Sequence, residues 1–300
     1  MSTSDTPLIP KVPIGEAVDS GIDWINDNLE WLLDAITAVM SFLIDGLTDL
    51  LLAPNPLVLV AVFTVLALLV RSWGLAVFTL IGTLLIISME MWEPAMETLS
   101  LVLVATVIAV VVAVPVGILA ARNDTVSAVV RPVLDFMQTM PAFVYLVPVV
   151  LFFGIGVVPG VCATIVFALP PGVRLTELGI RQVDGETVEA GEAFGGTPWQ
   201  ILRGIQLPLG LPTIMAGVNQ VIMLALSMAV VAGIVGAGGL GGEVVQSIST
   251  LDVPQGVEGG LSVVILAIFL DRLTGAIGQP TGRSLVAKVR SFRPAAAPMA

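Results

Sequence analysis

The chain has no histidine, one cysteine (Cys162), one tyrosine (Tyr145) and two lysines (Lys11 and Lys288). Each shortage excludes a chemistry. Without histidine there is no imidazole base, no Ser-His-Asp triad and no imidazole metal site. A lone cysteine makes no intrachain disulfide and no Cys-rich metal centre. Neither lysine follows a glycine or precedes Ser or Thr, so the sequence holds no Walker A loop. Charge is scarce as well: 12% of the 300 residues, against about 25% in a soluble domain. Hydrophobic residues make up 56% of the chain, and mean hydropathy is +1.02. A surface so poor in charge does not stay in water. The composition defines an all-α, polytopic membrane protein rather than an enzyme, with transport as the default class. No cofactor or metal is expected in this chain, and no basic patch is present for nucleic acid. Any ATP that drives it, with its Mg, belongs to another subunit.

A helix crosses ~30 Å of hydrocarbon in about 20 apolar residues. Seven runs qualify as candidates: 56–70, 74–91, 99–121, 138–156, 158–171, 212–235 and 260–278, the first and fifth being short. With the N-terminus outside, the inner segments carry Arg71; Arg122 and Arg131; Arg174, Arg181 and Arg203; and Arg283, Lys288, Arg290 and Arg293. That is ten of the twelve bases. The positive-inside rule therefore favours N-out and C-in, which requires an odd number of spans.

The first 18 residues read as a polar tail and lack the basic start of a signal peptide. Asp19, Asp23, Asp27, Glu30 and Asp34 then recur at helical spacing, followed by Asp45 and Asp49. Trp24, Trp31, Leu32, Ile36, Val39 and Phe42 supply the apolar part. Three aspartates inside a span are costly. An acidic amphipathic helix over 19–52, lying in the outer interface, fits better than a first span. Residues 54–278 form the membrane domain, and 279–300 read as a basic, disordered tail.

The long polar insert 172–211 divides into two helices. Asp184 stands as N-cap of the first, with Glu186 in its first turn. Gly195-Gly196 ends it. Thr197-Pro198-Trp199-Gln200 is a T-x-x-Q capping box with Pro at the first helical position. A second short helix is expected to stop before Pro208. Ala190, Ala193 and Phe194 form a small apolar face. It packs either on the chain's own spans or into a groove of another protein.

Glu189-Ala190-Gly191, then Gly195, then Ile205-Gln206-Leu207-Pro208, follow the pattern E-A-A-x3-G-x9-I-x-L-P with Gly191 in place of Ala. This resembles the EAA motif of membrane subunits of bacterial ABC importers. The segments DFMQTMPAFVYLVPVVLFFGIG (135–156), FALPPGVRLTELGIRQV (167–183), LPTIMAGVNQVIMLALSMAVVA (211–232), GGLG (238–241) and VVILAIFLDRLTGAIG (263–278) resemble the permease subunit of glycine betaine/proline betaine importers. The resemblance spans about 95–280. It implies a type I-like transmembrane domain in the bacterial plasma membrane. It also implies a second permease copy as partner, two cytoplasmic ATPase subunits and an extracellular or periplasmic betaine-binding protein. By motif match, Glu189, Ala190, Gly191, Gly195, Pro198, Ile205, Leu207 and Pro208 are the ATPase-coupling residues of the 184–208 loop.

Other features carry a bland reading beside a functional one. Asp271 and Arg272 sit inside the last candidate span. Neighbours in sequence do not face each other on a helix, so each is expected to pair with another span or reach the interface. Structural pairing is one role, gating the other. Met140, Phe143, Tyr145, Asn219, Gln220 and Met223 are the polar, aromatic or soft candidates for a translocation path, with packing as the alternative. The glycine run 236–242 is expected to turn or pack closely rather than to bind phosphate. Cys162 is expected to be a buried packer. From another class, an ATP-independent secondary transporter or channel for a small amine would account for the composition but leave the EAA-like pattern without a role.

Overall fold

The computed structural model describes residues 14–278, so the tail 279–300 and most of the tail 1–18 lie outside the described residues. No strand occurs among the described residues. The helices are α1 (Ile14–Leu52), α2 (Pro56–Val70), α3 (Trp73–Ser88), α4 (Trp92–Arg122), α5 (Asp124–Thr139), α6 (Ala142–Phe153), α7 (Val157–Arg181), α8 (Gly185–Ala193), α9 (Pro198–Ile201), α10 (Leu207–Ala232), α11 (Gly239–Thr250) and α12 (Val253–Gly278). Local chemistry sets several of the starts. Asn55 Oδ1 accepts from Leu57 N at 2.9 Å with Pro56 in the first turn of α2. Asn123 does the same for Thr125 N at the head of α5.

The centre is a layer of three helices, α4, α7 and α10, with α7 between the other two. Ala105, Ala109 and Ala113 on α4, Ala168 on α7, and Ala225 and Ala229 on α10 are all buried. Small residues let helix backbones approach closely, which is how packing is won where lipid offers no hydrophobic contrast.

Five helical stretches are long and apolar enough to cross a membrane: Val18–Leu52, Trp92–Arg122, Val157–Arg181, Pro198–Val235 and Val253–Ala276. This differs from the seven expected spans in three places. The first two candidates are helices of only 15 and 16 residues, about 22–24 Å each. The candidate 138–156 is not one helix: it falls on α5 and α6, which meet at Met140-Pro141 with a bend of 101°. The candidate 158–171 is not short. α7 runs 25 residues straight through Pro170 and Pro171, as buried transmembrane helices tolerate when neighbours satisfy the freed carbonyls. The N-terminal helix covers 39 residues as two segments that meet at a kink at Leu29, where the backbone is non-helical. Its stretch Val18–Leu52 also meets the length and hydropathy of a span. Asp34, Asp45 and Asp49 are exposed on it, while Ile44 is buried and Leu43 and Leu47 line a cleft with Leu103 and Val107 of α4.

Side-chain contacts fix which loops share an end. Arg181 Nη2 donates to the carbonyl of Ala120 at 2.8 Å, so α4 and α7 finish together. Asn219 meets Asp271 and Thr274, and Met223 lies beside Val263 and Ala267, so α12 runs antiparallel to α10 and ends where α10 begins. Arg71 Nη1 donates to the carbonyl of Arg272 at 3.4 Å and brings the α2–α3 turn to the same end. Every Lys or Arg among the described residues lies at this end. The opposite end carries acids: Glu97 Oε2 accepts from Gly239 N at 2.8 Å, and Glu243 accepts from Gln255 at 2.6 Å. The glycine run turns and packs there, with positive φ at Gly236, Gly238 and Gly239.

Candidate functional site: the hairpin between α7 and α10

At the arginine-rich end the chain leaves α7, forms α8 and α9, and returns into α10. Asp184 is the N-cap residue of α8 but its side chain makes no capping bond to the backbone; instead Thr187 Oγ1 donates to its carboxylate at 3.2 Å. α8 ends in a Schellman turn. Gly196 N donates to Gly191 O at 3.1 Å and Gly195 N to Glu192 O at 2.8 Å. Gly195, at φ +82, takes the left-handed position such a turn requires. The capping box of α9 is present in both directions: Thr197 N donates to Gln200 Oε1 at 2.8 Å and Gln200 N to Thr197 Oγ1 at 3.4 Å. The expected stop before Pro208 does not occur. α9 passes through a π turn, Leu202–Gln206, directly into α10. Pro208 sits in the first turn of that helix, directly after the π turn.

The sequence-matched residues take distinct places on this hairpin. Glu189, Ala190, Gly195, Pro198 and Pro208 are exposed, Gly191, Ile205 and Leu207 half-buried. A Cβ on Gly191 would lie 2.6 Å from Ile205 Cδ1 and 3.6 Å from Ile201 Cγ1, so Gly191 faces inward. The departure from Ala thus sits on the packed side, and the exposed side is unaltered. Phe194 is 93% exposed and Trp199 59%. The apolar face of Ala190, Ala193 and Phe194 therefore covers none of the chain's own spans.

The path candidates separate into two groups. Phe143 is 57% and Met223 54% exposed, and Gln220 is exposed one turn before Met223 on the stripe Ala216, Gln220, Met223, Ser227. Met140 is half-buried. Tyr145 is buried, stacks edge-on with Phe167 at 5.6 Å, and donates its hydroxyl to the Met137 carbonyl. That bond spans the α5–α6 bend and braces it. Asn219 is held by α12: its amide donates to Asp271 Oδ1 at 2.8 Å and its carbonyl accepts from Thr274 Oγ1 at 2.8 Å. Asp271 thus pairs with another span, while Arg272 is 56% exposed and its Nε lies 3.7 Å from Asp271 Oδ2, a long contact between sequence neighbours. Cys162 is half-buried rather than buried.

Asn219→Leu is expected to leave Asp271 Oδ1 without its amide donor, while Thr274 Oγ1 keeps its bond to Leu270 O at 2.7 Å. A hydrogen bond to a charged group contributes about 1.5–3 kcal/mol. Asp271 is 35% exposed, which places the loss at the low end. A thermal midpoint unchanged from wild type in the purified subunit would count against this.

One feature was missed in the sequence. Asp124, Ser127, Arg131 and Asp135 on α5 meet Arg181, Glu177 and Arg174 on α7 as two antiparallel stripes. Ser127 Oγ and Arg131 Nη2 donate to Glu177 Oε1 at 2.7 and 2.8 Å, and Arg181 Nε lies 2.9 Å from the same oxygen. Arg181 Nη2 bonds Asp124 Oδ1 at 2.8 Å, and Arg174 pairs with Asp135. Arg131, Asp135, Arg174, Glu177 and Arg181 line a cleft of about 260 Å³. The spacings i, i+3, i+7 and i+11 on one helix, and i, i+3 and i+7 on the other, are visible in the sequence.

Helices packed through small residues, with several apolar stretches long enough to cross a membrane, define a polytopic helical membrane protein. Residues 113–279 match the family described as the binding-protein-dependent transport system inner membrane component, and the chain belongs to it. It is 48% identical over 267 residues to the glycine betaine transport system permease protein OpuAB of Bacillus subtilis, covering 89% of this chain and 94% of that one. It is 46% identical over 268 residues to the glycine betaine/proline betaine transport system permease protein ProW of Escherichia coli, covering 89% and 76%. The fold is similar to a chain of the inward-facing MetNI methionine ABC transporter, with TM-score 0.58 and 23% identity over 63% of this chain and 95% of that chain. The protein is a multi-pass inner-membrane permease subunit, not itself catalytic, of a system that also comprises ATPase and substrate-binding components. The secondary-transporter alternative has no support in these likenesses.

Proposed function

We propose that this chain forms the translocation path of an ATP-driven importer for glycine betaine/proline betaine-like quaternary ammonium osmoprotectants. The observation that carries the reading is the hairpin. Its α8–α9 turn is closed by Schellman bonds on one side and a capping box on the other and presents Phe194 to solvent, in a chain nearly half identical to betaine permeases. In this reading the arginine-rich end is cytoplasmic, which places the termini of the 54–278 domain N-out and C-in. Two ATPase subunits, which hold ATP and Mg, take the 184–208 loops of two identical permeases. Glu189, Ala190, Gly195 and Pro198 face the ATPase; Gly191, Ile205, Leu207 and Pro208 hold the hairpin's shape. A betaine-binding protein delivers cargo to the acidic end. Phe143, Gln220 and Met223, the exposed members of the path set, face the passage between the two copies. Closure of the ATPases on ATP draws the hairpins together, and the stems carry that motion into the bundle.

The test is uptake of radiolabelled glycine betaine into proteoliposomes carrying the subunit with its ATPase, the binding protein outside. Uptake that needs internal ATP and is competed by proline betaine is the expected result. Uptake without ATP would overturn the mechanism, and ATP-dependent uptake of a different amine would overturn only the cargo.

A further inference from the structure

Hairpin motion must reach the path through the bundle, and Glu177, outside both the coupling loop and the path set, stands on one such route. The two stems of the hairpin are bound together at its foot. A Cβ on Gly210 would lie 2.5 Å from Gly179 O, so the backbones of α7 and α10 touch, and Gln182 Nε2 donates to Thr213 Oγ1 beside that contact. The hairpin and the last turns of α7 therefore move as one body. α5 is remote from them along the chain, since α6 and all of α7 intervene. In space α5 is adjacent, and the link is Glu177.

Glu177 is 4% exposed and is the one charged residue buried among the described residues. It accepts from Ser127 and Arg131 of α5 and from Arg181 of α7, and Arg181 extends the link to Asp124 and to the Ala120 carbonyl at the end of α4. α5 in turn joins α6 through the 101° bend that Tyr145 braces, and α6 carries the exposed Phe143. The arginine partners of Glu177 are not buried with it, the Arg131 side chain being 59% and the Arg181 side chain 33% exposed, so solvent screens what these pairs contribute to stability. What directional bonds add is register. An apolar contact between α5 and α7 slides; three donors on one carboxylate oxygen do not.

We infer that Glu177 is a positioning residue for transport: it locks α5 to the foot of the hairpin, so that displacement of the hairpin turns the α5–α6 elbow. This rests on the coupling reading of the 184–208 loop. It concerns a different step, the passage of motion from the hairpin to the path rather than docking of the ATPase.

The experiment compares uptake with ATP hydrolysis in the same proteoliposomes, with the ATPase and binding protein present. Glu177→Leu, which leaves Ser127, Arg131 and Arg181 without their shared acceptor, is expected to lower the thermal midpoint yet still to assemble with the ATPase; the assembled complex hydrolyses ATP within about twofold of wild type, while uptake per ATP hydrolysed falls about tenfold, within the usual range of coupling between sites. Glu177→Gln, which keeps an acceptor oxygen for Ser127 and Arg131, restores part of the ratio. Arg131→Gln, at a side chain 59% exposed and so tolerated by the fold, lowers the ratio in the same direction and decides the matter if Glu177→Leu does not assemble. Asp135→Asn breaks the outer rung without touching Glu177 and leaves the ratio unchanged. Uptake and hydrolysis falling in proportion in Glu177→Leu would make the residue merely structural and overturn the inference. So would an unchanged ratio alongside an inactive Gly195→Asp control. Normal transport by Gly195→Asp would instead remove the coupling reading itself.

Discussion

Gly195→Asp is expected to yield a folded, membrane-inserted subunit whose ATP-dependent uptake falls about 100-fold or more, to background. The fold is spared because no heavy atom lies within 4 Å of a Cβ at this position. The backbone term is modest: the left-handed region costs an L residue about 1–2 kcal/mol, and Asp tolerates it better than most. The damage lies in docking. The new carboxylate would stand beside Phe194, in a segment that already carries Glu189 and Glu192. Burying an unpaired charge in an interface costs several kcal/mol, and about 3 kcal/mol is already 100-fold. Phe194→Ala removes the most exposed aromatic of the tip and separates bulk from charge; loss of such an anchor costs about 2 kcal/mol or more. Uptake assays paired with a thermal midpoint check both. Normal transport by Gly195→Asp would mean that the tip does not contact the ATPase.

The parts of this site that local chemistry determines were legible in the sequence. The capping box of Thr197 and Gln200 and the turn at Gly195 need no tertiary partner, and both stand where the residues place them. The partner of Asp271 was legible as a requirement, since a carboxylate inside a helix bundle must be bonded; its identity, Asn219, needed the antiparallel register of α10 and α12. Proline misled once. Pro208 reads as a stop. In the structure it falls in the first turn of α10, which follows the π turn without a break. The helix count suffered for a related reason. Hydropathy sees apolar length but not direction, so the bend at Met140-Pro141 merged parts of two helices into one candidate span. The α5–α7 zipper was written as periodic charge on both helices, but nothing local says which charged faces meet.

The foot of the hairpin gives the other large effect. Gly210→Val places a branched side chain where a Cβ alone would stand 2.5 Å from Gly179 O and 2.8 Å from Gly179 C. Both obstacles are backbone, so no rotamer change relieves them, and α7 and α10 must separate. The reciprocal approach, 2.9 Å from a Cβ on Gly179 to Gly210 O, leaves no room to shift along the helix. Overpacking of this kind costs about 1–3 kcal/mol and sometimes more, and the rigid obstacle places Gly210→Val at the upper end, about 3 kcal/mol. Gly210→Ala is expected to fall between it and wild type. Gly204→Ala, in the π turn with nothing within 4 Å of its Cβ, serves as the control and should be neutral or slightly stabilising. The readout is the thermal midpoint of the detergent-purified subunit together with the yield of complex recovered with the ATPase. Parted stems would deny the hairpin its fixed base, so uptake should be lost even in whatever fraction still folds. A wild-type midpoint and wild-type uptake in Gly210→Val would mean that the α7–α10 backbone contact does not hold the hairpin, and that its motion enters the bundle by some other contact.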